Sequence, residues 1–164
     1  MFISAYQDIS LGRELFTAEL VKDGAIPTDA CFMMEDPDGL SFALISSIPF
    51  MIWQKTVGGR IKSDCRFADT LIWNTFPLPK LTDTQRSEIV KAGQGVIKAR
   101  NAYEVLSLAD LYKKEKFELY PELVKAHKEL DKSILDVYGL DGNASEGEVV
   151  AGLVEVYNEL TEKK

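Results

Sequence analysis

The sequence predicts a mainly helical α+β fold, with a small mixed α/β unit over residues 1–79 followed by a C-terminal helical bundle over 80–164. Three observations predict it. Phe76-Pro77-Leu78-Pro79 sets prolines at alternate positions, which blocks both helix and inner strand and marks a joint. Beyond the joint, apolar residues recur at steps of three and four behind capping signals. Before it, short apolar runs are bounded by Gly12, Gly24, Pro27 and Gly58.

Taken in order, residues 15–22 and 26–33 read as strands, the first fitting a helix equally well. Asp38 caps a helix starting near Leu40. Ser47 caps a second, with Pro49 harmless in its first turn and Gly58 as the stop. Phe42, Leu44, Ile45, Phe50 and Trp53 supply a core. Residues 67–76, with Leu71, Ile72 and Trp73, read as a final strand leading into the joint. After it, Thr82 and Gln85 form a capping box for a helix to about Arg100, with Ile89, Ala92, Val96 and Ala99 on one face. Gly93 and Gly95 each weaken that helix by roughly 1 kcal/mol unless a neighbour packs closely there. Ser107 and Asp110 open a short helix to Tyr112. Pro121 opens a longer one in which Leu123, His127, Leu130, Ile134 and Val137 form a stripe ending at Gly139. Ser145 and Glu148 cap the last, carrying Val149, Leu153, Val156 and Leu160.

Apolar residues at 46% and charged residues at 27% exclude wholesale disorder and fibrous repeats. The longest apolar stretch, residues 40–53, contains three serines and a proline and is too short for a membrane helix. The opening MFISAYQD has no secretion pattern, so the expected location is the cytoplasm, with no membrane partner. Cys31 and Cys65 show no metal-ligand spacing and read as packing residues. The net charge of -7 argues against non-specific nucleic-acid affinity, which comes mainly from lysine and arginine. One segment departs from that average: Lys55, Arg60, Lys62 and Arg66 face the single acid Asp64.

That segment, TVGGRIKSDCRF, follows a helix end. Gly58-Gly59 free the backbone to turn, and in an extended stretch Arg60, Lys62, Asp64 and Arg66 alternate towards one side. A lysine donating to guanine and an aspartate accepting from cytosine N4 can read both members of one G·C pair in a major groove, while flanking arginines hold phosphates. The plain alternative is a solvated, salt-bridged loop. Elsewhere the chemistry-bearing residues have structural readings. Asp36 and Asp38 flank Pro37 and precede Gly39 as turn and cap residues, and His127 lies on an apolar helix stripe. Trp53, Trp73 and Phe76 read as core rather than as base-stacking platforms. No residue is assigned as catalytic and none as a metal ligand.

SFALISSIPFMIWQKTVGGRIKSDCRFADTLIWNTFPLP resembles the end of the target-recognition domain in MmeI-like single-chain restriction-modification enzymes, whose pattern is close to FGxLSSxMHMxWxRxVxGRLKSDYRYSxxxVYNNFPWP. The tail follows the same family: an AxxxLxAR-type helix end at Val96–Arg100, SLADLY at Ser107–Tyr112, and KAHxxLDxxxxxxYG at Lys125–Gly139. Cys65 stands where the family has tyrosine, and Pro49-Phe50 where it has methionine-histidine. The resemblance implies the C-terminal part of an adenine-specific DNA methyltransferase, with double-stranded DNA and the methyltransferase domain of the same parent chain as partners. The fragment itself would hold no cofactor. S-adenosylmethionine would serve the parent, with magnesium added if the parent also cuts DNA. It further implies that Lys62 and Asp64, on either side of Ser63, read a G·C pair beside the modified adenine, with Arg60, Arg66 and Lys55 on phosphates. No Pro-Pro pair occurs, so the adenine-holding catalytic loop is absent from this sequence. The rival reading is a helical protein–protein interaction module with no direct DNA contact.

Overall fold

The computed structural model describes residues 2–6, 8–9, 13, 15–21, 31–58, 60–61, 64–66 and 69–162. It is an α+β fold, mainly α. Strands β1 (Phe2–Tyr6), β2 (Asp8–Ile9), β3 (Ala18–Leu20) and β4 (Cys31–Glu35) open the chain. An antiparallel sheet of order β3-β1-β4 pairs Ile3 with Leu20 and Met34, and Ala5 with Ala18 and Phe32. Alternation along β1 buries Ile3 and Ala5 and leaves Phe2 exposed.

The strand expected over residues 15–22 is realised only at Ala18–Leu20; Leu15, Phe16 and Thr17 are buried irregular backbone, and residue 22 lies outside the described residues. The one expected over 26–33 appears at Cys31–Glu35, its earlier half also outside them. Next come α1 (Leu40–Ile45) and α2 (Ile48–Val57). The anchor of α1 is Asp36 rather than Asp38. Its buried carboxylate accepts from the amides of Gly39 (3.1 Å), Ser41 (3.1 Å) and Phe42 (2.9 Å), partnering donors that a helix start otherwise leaves unmade. Asp38 accepts from Leu40 (3.2 Å) and pairs with Arg86 (2.6 Å), and Gly39 takes the left-handed φ of 90° at the cap. Ser47 caps α2, Pro49 sits in the first turn, and Gly58 ends the helix, as the sequence predicts.

Residues 69–73 do not form the expected strand. Asp69–Trp73 make one π-helical turn, with residues 67 and 68 outside the described residues. The Thr75 hydroxyl donates to the Leu71 carbonyl and accepts from Trp53 Nε1 (3.2 Å), holding the chain in a coil that buries Ile72. A short apolar run does not by itself distinguish the two conformations.

The remaining helices are α3 (Asp83–Asn101), α4 (Leu108–Leu111), α5 (Pro121–Leu135) and α6 (Glu146–Glu162). The Thr82–Gln85 capping box is formed, and α5 runs on through a 3-10 turn to Gly139 at φ 68°. α3 packs along α5 and against α1, and α6 packs on α2, where Trp53 meets Tyr157 at 5.6 Å between ring centroids. The Tyr138 hydroxyl donates to the Pro77 carbonyl (2.9 Å), tying the bundle to the proline joint. Phe50 gathers Phe16, Trp73 and Phe76, so Trp73 and Phe76 are core as expected. One continuous core crosses the joint.

The two weak points of α3 have different surroundings. A Cβ on Gly93 would stand 2.8 Å from the Ala43 Cβ of α1, whereas one on Gly95 would meet nothing within 4 Å. Gly93→Ala is therefore expected to destabilise by about 1–3 kcal/mol despite its better helix propensity. Gly95→Ala should stabilise by up to about 1 kcal/mol, and urea unfolding of both variants checks the pair.

Candidate nucleic-acid interface

α2 ends at Gly58 and feeds an antiparallel ribbon of β5 (Arg60–Ile61) and β6 (Asp64–Arg66), with β2 on its far edge in the order β2-β6-β5. The register pairs Arg60 with Cys65 and Ile61 with Asp64. The sequence placed Arg60, Lys62, Asp64 and Arg66 along one alternating stretch. The ribbon instead interrupts that alternation, and Arg60 shares its row with Cys65 while Asp64 shares its row with Ile61. On the other edge Asp8 stands opposite Arg66, an opposite-charge cross-strand position. Lys62 and Ser63 lie outside the described residues. Lys55 is exposed in the last turn of α2, where a cation complements the helix dipole.

The base of α2 is held from behind by the bundle. The Asp131 carboxylate of α5 accepts the Ile48 amide at 2.8 Å, the first N–H of α2. This matters because the local cap is weak: Ser47 Oγ donates to the Leu44 carbonyl (2.7 Å) and accepts from Phe50 only at 3.4 Å. One turn earlier on α5, His127 Nε2 meets the Tyr112 hydroxyl at 2.7 Å. That hydroxyl oxygen accepts from Arg100 Nε (2.8 Å), so its proton points to His127 and leaves hydrogen on Nδ1. Nδ1 lies near the Ser46 main chain but outside hydrogen-bond geometry. His127 is thus the hydrogen-bonded core residue that its place on the stripe predicts.

Arg100 also donates to the Ala18 carbonyl of β3 at 2.7 Å and lies over the Phe42 and Tyr112 rings at 5.1 and 5.0 Å. Sequence reasoning saw Arg100 and Asp131 only as letters in recurring strings and assigned them no role. Burial, with Arg100 adding to it, pushes His127 down to about 3, and burial pushes Asp131 up to about 7. An apolar cleft of ≈ 160 Å³ near the sheet is lined by Ile3, Ala5, Phe32, Met33, Met34, Ile45, Trp73 and Asn74 and presents no acid, base or nucleophile. Among the described residues no three His, Cys, Asp or Glu side chains gather as metal ligands, and no helix is long and apolar enough to cross a membrane.

Comparison with known proteins joins these features. Residues 4–80 match the family model of the MmeI target recognition domain, and residues 81–163 that of the MmeI C-terminal domain. The chain belongs to the MmeI family. Among its relatives, DNA methyltransferase A of Bacillus subtilis (strain 168) is 30% identical over 138 residues. That match takes in 84% of this chain and 15% of the relative. The solved structure of the Type IIL restriction-modification enzyme MmeI in complex with DNA superposes on 98% of this chain, with a TM-score of 0.91 and 32% identity. The chain spans 21% of that MmeI chain. It is a target-recognition module with its helical C-terminal domain.

Within this MmeI-family chain, His127 and Asp131 make opposite contributions to the pH dependence of stability. His127 sits below its ordinary 6.5, so its contribution is complete above 6.5 and is lost as pH falls towards 3. Asp131 sits above its ordinary 3.8, so its contribution is complete below 3.8 and is lost as pH rises through 7. Between those limits the two offset each other. Relative to the parent sequence, His127→Gln should make stability fall more with rising pH, and Asp131→Asn should make it fall more with falling pH. Each slope change is at most about 1.4 kcal/mol per pH unit, read from denaturation series between pH 4 and 7.

Proposed function

We propose that this chain reads DNA sequence for a site-specific N6-adenine DNA methyltransferase and carries out none of the chemistry itself. In this reading the rest of the parent supplies the methyltransferase domain and uses S-adenosylmethionine, with magnesium where the parent also cleaves DNA. The observation that carries it is the β5–β6 ribbon at the end of α2, within the stretch matched to a target recognition domain. A two-stranded ribbon is one of the shapes a major groove admits. The solved relative is a restriction-modification enzyme in complex with DNA, which supports double-stranded DNA as the partner.

Lys62 would donate to guanine O6 or N7 and Asp64 would accept from the paired cytosine N4. Ser63 lies between them in sequence, while Arg60, Arg66 and the exposed Lys55 hold phosphates. The residues before the proline joint, 1–79, form the reading unit and 80–164 its brace. The net charge of -7 fits a reader that contributes specificity while the larger parent contributes much of the affinity.

Lys62→Glu combined with Asp64→Arg is expected to redirect recognition at one position from G·C to C·G while methyl transfer continues. Discrimination of about 1–3 kcal/mol at that pair should invert. Methylation mapping of the parent carrying both changes reads the site directly, and an unaltered site rejects the assignment.

A further inference from the structure

The string KAHKELD on α5 holds two buried polar groups that the reading unit does not use for DNA, and both address the corner between α1 and α2. Asp131 is 83 positions from Ile48, whose amide donates to it, so the hydrogen bond is tertiary and links the brace to the reader. Ser47, whose hydroxyl is engaged with Leu44 and reaches Phe50 only at 3.4 Å, leaves the start of α2 dependent on it. α2 spans ten residues and its C-cap, Gly58, stands two positions before the first residue of β5, so the pose of α2 bears on that of the ribbon. A carboxylate at a helix N-terminus also complements the helix dipole.

We propose that Asp131 is a positioning residue for sequence recognition: by holding the Ile48 amide it fixes the pose of α2, and through α2 the register of the β5–β6 ribbon on the base pair it reads. His127, one turn earlier, keeps α5 seated beside Ser46 through its bond to Tyr112. The inference rests on the ribbon being the reader. Asp131 touches no base and no phosphate in it; a small displacement at the base of a helix misplaces donor and acceptor at its far end.

The test uses the full-length parent enzyme and two discrimination ratios. Each compares kcat/KM for methylation of the cognate duplex with that of a duplex changed at one pair, either the pair read by the ribbon or another recognised pair. Asp131→Ala should lower the ribbon-pair ratio by about tenfold, the scale of one lost hydrogen bond to a charged group, and leave the other ratio within about twofold. Asp131→Asn keeps an oxygen acceptor for the same amide and should restore most of the ratio.

Ile48→Pro deletes the donor from the other side. Proline is favoured at the first helical position, and Ser47 at φ -99°, ψ 156° already has the backbone that precedes proline. It should reproduce the Asp131→Ala loss, and the double variant should be no worse than either single one. If Asp131→Ala gives no folded protein, Ile48→Pro carries the test alone.

Ratios that stay at the parental value in both variants, while Lys62→Glu with Asp64→Arg does alter the site, overturn the positioning role and leave the reader assignment standing. Both ratios falling together with thermal stability, without rescue by asparagine, overturn it equally. A site unaltered by the loop double variant removes the reader assignment and this inference with it.

Discussion

One guanidinium joins the parts of this fold that sequence order keeps apart. Arg100, near the end of α3, donates to the Ala18 carbonyl of β3 and to the Tyr112 hydroxyl, and lies over the Phe42 ring of α1. Tyr112 passes the connection to His127 on α5. Sheet, α1 and bundle therefore share one polar centre. Hydrogen bonds and ring faces replace the water that this partly buried cation gives up, which is why tyrosine and a neutral histidine gather around it. The direction of the His127 shift follows from burial first, and then from Arg100, beside which a second cation would be unfavourable.

From that centre outward, a series of contacts leads to the small β5–β6 ribbon. β5 and β6 are only two and three residues long, too short to hold a pose unaided. Their position comes from α2 at one end and the π-helical turn at the other, which the Trp53–Thr75 and Phe50–Trp73 contacts bind to each other. α6 closes the outer side of α2 through Tyr157 on Trp53.

Much of this was legible in the sequence wherever a local rule operates alone. The Thr82–Gln85 and Ser145–Glu148 boxes, Ser47 with Pro49, and Gly139 each stand where capping chemistry puts them. The family resemblance, carried by several separated strings in order, agreed with the matched family models. Local rules failed where a tertiary partner decides. Ile72 reads as strand, yet Thr75 and Trp53 draw its segment into a π-helical turn. Asp38 looked like the cap, but Asp36 reaches more of the free amides because Gly39 turns the chain back over it. The alternation read across Arg60 to Arg66 assumed one strand, and periodicity has no term for a hairpin that reverses within four residues. Arg100 and Asp131 had no local signature, because their partners lie 82 and 83 positions away.

The close approach at Gly93 has a practical side. Two backbones from opposite flanks of the Phe76–Pro79 joint touch there, with Ala43 filling the space a side chain would take. A chimera spliced at the joint would bring together helices never fitted to each other, and would replace a shared wall with a gap or a clash. Single-residue changes away from Gly93 and Ala43 leave that seam intact, whereas exchange of whole halves does not.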